Sequence, residues 1–168
     1  MPSAFPTLAA RRKVKTLPQL TALVRRAKAA GKRVVFTNGC YDLLHPGHVA
    51  LLEQARQAGD LLVVALNSDR SVRALSKGPG RPIVAERDRA AVMAGLSSVD
   101  YIVLFHESTP ARVIAALRPD VLVKGADWSS SAIVGRDTVT QRGGRIVRVP
   151  LRKGYSTTAL IRRIKRSA

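Results

Sequence analysis

The stretch Arg33–His48, RVVFTNGCYDLLHPGH, decides how the rest of the chain is read. Its β-branched and aromatic opening predicts a strand over Arg33–Thr37. Asn38-Gly39 then predicts a tight turn, with Gly39 letting backbone N–H groups approach a ligand closely. Pro46 suits the first turn of a helix, where a missing N–H costs nothing. His45 and His48, three apart at that helix start, can face one point. Two of the chain's three histidines therefore stand beside a helix N-terminus at a strand end. Exposed N–H groups, the helix dipole and two imidazoles together predict an anion site.

Outward from this unit the pattern repeats. Leu61–Leu66 (LLVVAL), Tyr101–Phe105 (YIVLF), Val121–Lys124 (VLVK) and Arg145–Val149 (RIVRV) read as four more short strands. Helical spacing fills the gaps at His48–Ala58, Glu86–Leu96, Pro110–Leu117 and about Ala132–Arg142, and Thr157–Lys165 closes the chain. Ahead of the first strand, Leu17–Ala30 is a predicted helix ended by Gly31. Near-continuous apolar strands separated by helices predict an α/β fold: a Rossmann-like, parallel five-stranded sheet with helices on both faces. In such sheets ligands bind beyond the C-terminal strand ends. The 168 residues suit one domain, 14–168, behind a basic N-terminal tail, 1–13.

Composition narrows the classes. Hydrophobic residues make up 46% of the chain, which argues against disorder. Charges interrupt the N-terminal segment where a secretory signal would need its apolar run, and no stretch approaches a membrane span in length. The single cysteine, Cys40, cannot form an internal disulfide, which fits a reducing, cytoplasmic setting. It reads as a small packing residue whose N–H lies near the anion site. The net charge of +18 invites a nucleic-acid reading, so its location matters. Residues 1–33 carry nine Lys/Arg and no Asp/Glu, and residues 159–168 carry four more basic residues. The two ends thus supply most of the excess, as solvated faces do, and no specific nucleic-acid partner is expected.

HPGH after TNGCYDLL resembles the HxGH element of the cytidylyltransferase-like nucleotidyltransferases, relatives of the HIGH-motif synthetases. The wider string is more specific. FTNGCYDLLHPGHVALLEQAR, VVALNSDRSVRAL, GRPI, VDYIVLF, TPARVI, RPDVLVKGADW, GG and GYSTTALI are similar, in order and spacing, to bacterial D-glycero-β-D-manno-heptose 1-phosphate adenylyltransferases. The resemblance covers about residues 14–166. In many bacteria this activity is fused to a sugar kinase, and this chain looks like the stand-alone transferase.

The resemblance implies roles residue by residue. His45 and His48 would hold the triphosphate and stabilise charge on the α-phosphate, which Thr37, Asn38, Gly39 and Cys40 would wrap with backbone groups. Ser156, Thr157 and Thr158 match a second phosphate element; hydroxyls at a helix start cap it or bind an anion. Lys77, placed with the catalytic pair, and Arg81 lie in the Gly/Pro-rich loop SKGPGRPI, as phosphate ligands or solvated loop charges. Arg89 would face that loop as a phosphate partner. Asn67, Ser68 and Asp69 end the second strand, placed for ligand hydroxyls or for Asx-turn and capping roles. Lys124, Gly125 and Asp127 would serve the nucleotide, with the heptose phosphate as the alternative for Lys124, and Trp128, placed with the substrate residues, either stacks on a base or is structural. Asp42 contacts substrate or holds the histidine loop. One departure stands out: CTP-using relatives place an arginine where this chain has Leu151, followed by Arg152 and Lys153.

The implied reaction is in-line attack of a sugar 1-phosphate oxygen on the α-phosphorus of ATP, releasing pyrophosphate. Mg²⁺ should arrive with the triphosphate, since no carboxylate cluster offers a dedicated metal cage. ATP and heptose 1-phosphate are the expected partners, with no membrane and a homodimer or higher homo-oligomer. A CTP-dependent enzyme acting on glycerol 3-phosphate or a phospho-alcohol is the rival within the class, and a basic nucleic-acid-binding protein the rival outside it. A dehydrogenase fits poorly, because the first βα turn lacks G-x-G-x-x-G.

Overall fold

Apolar runs set the sheet, and an aspartate ahead of three of the strands fixes how they align. The computed structural model describes residues 7–75, 78, 80–150, 152 and 154–167. In chain order the elements are α1 (Leu8–Lys13), α2 (Leu17–Ala29), β1 (Val34–Gly39), α3 (Pro46–Gln57), β2 (Leu61–Asn67), α4 (Asp69–Ala74) and α5 (Glu86–Ala94). Then come β3 (Tyr101–Phe105), α6 (Ala111–Leu117), β4 (Val121–Gly125), a 3-10 turn (Ser130–Ala132), α7 (Arg136–Thr140), β5 (Arg145–Val149) and α8 (Thr157–Ser167). The five strands pair in the order β3-β2-β1-β4-β5, every pair parallel.

Asp60, Asp100 and Asp120 immediately precede β2, β3 and β4. Each carboxylate accepts a backbone N–H at the start of a neighbouring strand: Arg33 N at 2.7 Å, Leu62 N at 2.7 Å and Val34 N at 2.8 Å. These bonds satisfy donors that a strand end would otherwise leave to water, and they pin the register at one edge. Alternate residues of the strands then face opposite ways. Val35, Leu62, Val64 and Leu66 join Leu52, Ala90 and Met93 on one face. Val34, Phe36, Val63 and Ala65 join Leu20, Val24, Ile114 and Val139 on the other. Both faces are therefore covered by helices, which is why the strands read as unbroken apolar runs.

Two segments depart from the sequence reading. The basic segment ahead of residue 14, expected as a tail, contains helix α1. Thr7 caps it, Ala10 is fully buried, and Lys13 Nζ donates to Leu96 O at 2.8 Å. Arg11 and Arg12 are exposed on a helix packed against α5, so tertiary contacts override a sequence with little apolar periodicity. Helix α4 was also unforeseen; it starts at Ser68, whose side chain accepts from Ser71 N. Among the described residues, no helix is long and apolar enough to cross a membrane.

Candidate active site

The order β3-β2-β1-β4-β5 reverses direction between β1 and β4, so their carboxyl ends border the crevice where open α/β sheets bind ligands. The histidines sit there. His45 is the N-cap of α3: its Nδ1 accepts from His48 N at 3.3 Å, and Pro46 occupies the first helical position. With Nδ1 an acceptor, the neutral ring carries its proton on Nε2 and can donate there. Burial pushes the His45 pKa below its ordinary 6.5, because the imidazolium loses hydration. The His48 ring stacks on His45 with centroids 3.7 Å apart and 16° between planes. Tyr41 meets the other side of His48 edge-on at 5.1 Å, and Tyr155 lies 6.3 Å beyond His45.

Gly47 is needed for this geometry. A Cβ there would lie 3.1 Å from the His45 ring and 3.3 Å from Tyr155 Cβ. Tyr155 immediately precedes Ser156, whose Oγ accepts from Ala159 N at 3.0 Å. The start of α8, with half-buried Thr157 and exposed Thr158, is thereby brought against the start of α3. Two helix N-termini with orphan N–H groups converge on one crevice. Arg152 places its guanidinium 5.1 Å from the Tyr155 ring centroid, adding a cation to the same rim. Lys77, Leu151 and Lys153 lie outside the described residues.

The expected tight turn at Asn38-Gly39 is corrected. Both residues remain in β1, paired with Ala65 and Leu66, and the left-handed backbone falls on Tyr41 at φ 46°. Gly39 is small for another reason: a Cβ would sit 2.9 Å from Tyr41 Cε2. Thr37 Oγ1 donates to Val123 O at 3.0 Å, so its hydroxyl ties β1 to β4. Asn38 Oδ1 is buried without a hydrogen-bond partner among the described residues. Cys40 is buried, and its carbonyl accepts from Arg89 Nη1 at 2.6 Å. Lys124 is 9% exposed, with Nζ 3.5 Å from Asn38 O and 5.3 Å from the Trp128 ring centroid. Gly125 is buried, whereas Asp127 and Trp128 are exposed beside it.

Several residues expected to touch substrate hold the site together instead. The Arg89 side chain is 0% exposed and donates to Val84 O (2.9 Å), Cys40 O (2.6 Å), Asn67 O (2.8 Å) and Asp69 Oδ1 (2.7 Å). Four of its five N–H donors are thus fixed inside the protein, so it is not placed to take a substrate phosphate. Asn67 gives its amide to Ser71 Oγ at 2.9 Å and is 3% exposed. The Asp42 carboxylate, fully enclosed, accepts from Ile83 N, Val84 N and Arg81 Nε. Arg81, expected at the nucleotide, is paired there and 8% exposed. Asp69 keeps a quarter of its side chain open at the rim. Tyr41 was not singled out from sequence, although its place between Gly39 and the histidines was the available signal. Among the described residues, no group of three or more His, Cys, Asp or Glu is placed to hold a metal ion.

A parallel sheet with two helix N-termini and a stacked histidine pair at its switch point defines an α/β protein with a site suited to a polyanion. The chain belongs to the cytidylyltransferase-like family, whose match spans residues 36–163. It is 56% identical over 154 residues to the bifunctional protein HldE of Alkalilimnicola ehrlichii, covering 92% of this chain and 32% of that protein. It is 58% identical over 140 residues to HldE of Azorhizobium caulinodans, covering 83% and 29%. The chain spans about a third of the length of these curated relatives. Among solved structures, a lipopolysaccharide core biosynthesis protein from Thermoplasma volcanium superposes with TM-score 0.61 at 28% identity, covering 75% of this chain and all of that one. Pantoate-β-alanine ligase from Francisella tularensis, solved with a β,γ ATP and β-alanine, shares the fold with TM-score 0.59 at 14% identity, covering 84% and 67%.

Proposed function

We propose that this chain transfers AMP from Mg·ATP to D-glycero-β-D-manno-heptose 1-phosphate, giving ADP-heptose and pyrophosphate. The observation that carries the reading is the pairing of the HPGH and STT elements: the start of α3 and the start of α8 meet at Gly47 and Tyr155. Such a site suits a triphosphate and needs no protein nucleophile. The sugar phosphate oxygen is already ionised at neutral pH; it bonds to the α-phosphorus as the bond to the β-phosphate oxygen breaks. His45 Nε2–H, the His48 ring and the helix-start N–H groups meet the charge that grows on the phosphates, in a site fixed beforehand. Mg²⁺ belongs to this reading as part of the nucleotide substrate, held by phosphate oxygens.

The choice of ATP and heptose is supported by identities above half over most of the chain to two HldE proteins, and by Lys124 in KGADW. The product would feed lipopolysaccharide core or a related glycan, and the enzyme would work in the cytoplasm as a homo-oligomer. The test is pyrophosphate release for ATP and CTP against heptose 1-phosphate and glycerol 3-phosphate. ATP with heptose 1-phosphate should lead, and a mismatched base, by leaving buried polar groups unpaired, should cost roughly 10⁴-fold in kcat/KM. If CTP with glycerol 3-phosphate leads, the family stands and this substrate assignment falls.

A further inference from the structure

Tyr41 is a bulky residue in the left-handed region, at φ 46°, in the turn between β1 and α3. Such a conformation persists in a side chain of this size only when its surroundings over-determine it. Here they do. On one side, Arg89 Nη1 holds the Cys40 carbonyl at 2.6 Å, which fixes the peptide plane entering Tyr41. On the other, the Asp42 carboxylate is bound by Ile83 N at 2.8 Å, Val84 N at 2.9 Å and Arg81. Burial raises the Tyr41 pKa to about 12, so the phenol stays neutral. The ring is 6% exposed and lies over Gly39, where any Cβ would strike Cε2.

All of this holds one edge of the ring against His48, 5.1 Å between centroids, while His48 stacks on His45 at 3.7 Å. We infer that Tyr41 is a positioning residue of the transfer reaction: strained into the turn, it sets the plane of His48 and, through the stack, of the histidine pair. It touches no substrate in this role, and the inference rests on the proposed adenylyl transfer for its kinetic consequence. An ordinary core aromatic would not need the left-handed backbone and the Arg89 clasp together.

The experiment compares Tyr41→Phe, Tyr41→Leu and Tyr41→Gly. Glycine adopts a positive φ without strain, so it preserves the turn while removing the ring. Each variant is assayed for pyrophosphate release at a temperature where circular dichroism shows it folded, and its histidine ring resonances are recorded by NMR. Leucine and glycine should each lower kcat by about a hundredfold, the cost of misplacing a catalytic group by roughly 1 Å, with KM for ATP within threefold. Both should weaken the NOEs between the His45 and His48 rings, and phenylalanine should stay within about tenfold of the parent with those NOEs kept. If Tyr41→Gly keeps kcat within threefold of the parent, or leaves the His45–His48 NOEs at parent strength, the assignment is overturned. It is equally overturned if both ring-less variants cannot fold at any temperature, since the ring would then be core alone. Should the parent itself not turn over ATP with heptose 1-phosphate, the functional reading fails, and the NMR comparison still decides whether Tyr41 sets His48.

Discussion

Gly47→Ala adds one methyl group at the second position of α3, and its expected effects on stability and rate have opposite signs. Alanine in a helix is favoured over glycine by roughly 0.5–1 kcal/mol, so helix formation gains. The new Cβ would lie 3.1 Å from both Cε1 and Nδ1 of His45 and 3.3 Å from Tyr155 Cβ. At that distance the His45 ring must give by a few tenths of an ångström. It cannot retreat alone: Nδ1 is bonded to His48 N, and the ring is stacked on His48. If a misplacement of about 1 Å costs about a hundredfold, this smaller shift should cost roughly three- to tenfold in kcat. The melting temperature should hold or rise slightly as the helical preference offsets the strain. The assay is pyrophosphate release beside thermal melts of the same preparations, with Gly47→Val as a larger step in the same direction. Parent-like kcat in a folded Gly47→Ala protein would refute the claim that His45 is held where it works.

Three further outcomes follow from the same geometry. His48→Ala should lower kcat by a hundredfold or more, about 2.7–4 kcal/mol of transition-state stabilisation, with a melting temperature close to the parent's; turnover within a few-fold would remove His48 from the machinery. Asp42→Ala should cost about 3–5 kcal/mol in urea unfolding, because it strands the Arg81 guanidinium and two backbone N–H groups, whereas a loss under 1 kcal/mol would mean the loop is held otherwise. Burial depresses the folded-state pKa of His45 below 6.5, so the unfolded chain takes up its proton first as pH falls. The His45 contribution should be full above about 6.5 and decline below it, seen as a drop in melting temperature that His45→Asn, which keeps an N-cap, reduces.

Much of the sheet was legible because its signal is local. β3 and β5 begin and end at the residues that the apolar runs predict, and the alternation of strand and helix patterns predicts the parallel sheet but not its strand order. β1 runs two residues further than expected, since Asn38 and Gly39 still pair with β2; a turn dipeptide in sequence yields to a ladder that satisfies its backbone. Helices α1 and α4, six residues each, carry too few apolar positions to announce themselves. The histidine site was legible for the same reason as the strands, with its parts lying within four residues. What holds the site was not. Arg89 reaches Cys40 across 49 residues, and Asp42 reaches Ile83 across 41, distances over which sequence spacing says nothing about contact.

The polar residues around the crevice therefore fall into two sets that one string of motifs does not distinguish. A phosphate ligand and a buried clasp both call for arginine, because a planar fork of five donors serves either a phosphate or a set of backbone carbonyls. What separates them is where the donors end. Arg89 and Asp42 spend theirs, or their lone pairs, on carbonyls and N–H groups of the turn and loop, and Asn67 gives its amide to the Ser71 hydroxyl, so a change there alters the frame itself. His45, His48, Lys124 and the Ser156–Thr158 segment stand at the crevice side of that frame, where a triphosphate would meet them. Substitutions in the first set should move stability and kcat together, and those in the second should move kcat while the melt stays near the parent's. Tyr41 lies between the sets, holding its place like the first and acting through a member of the second, so Tyr41→Gly, which spares the turn and removes the ring, separates frame from function at one position.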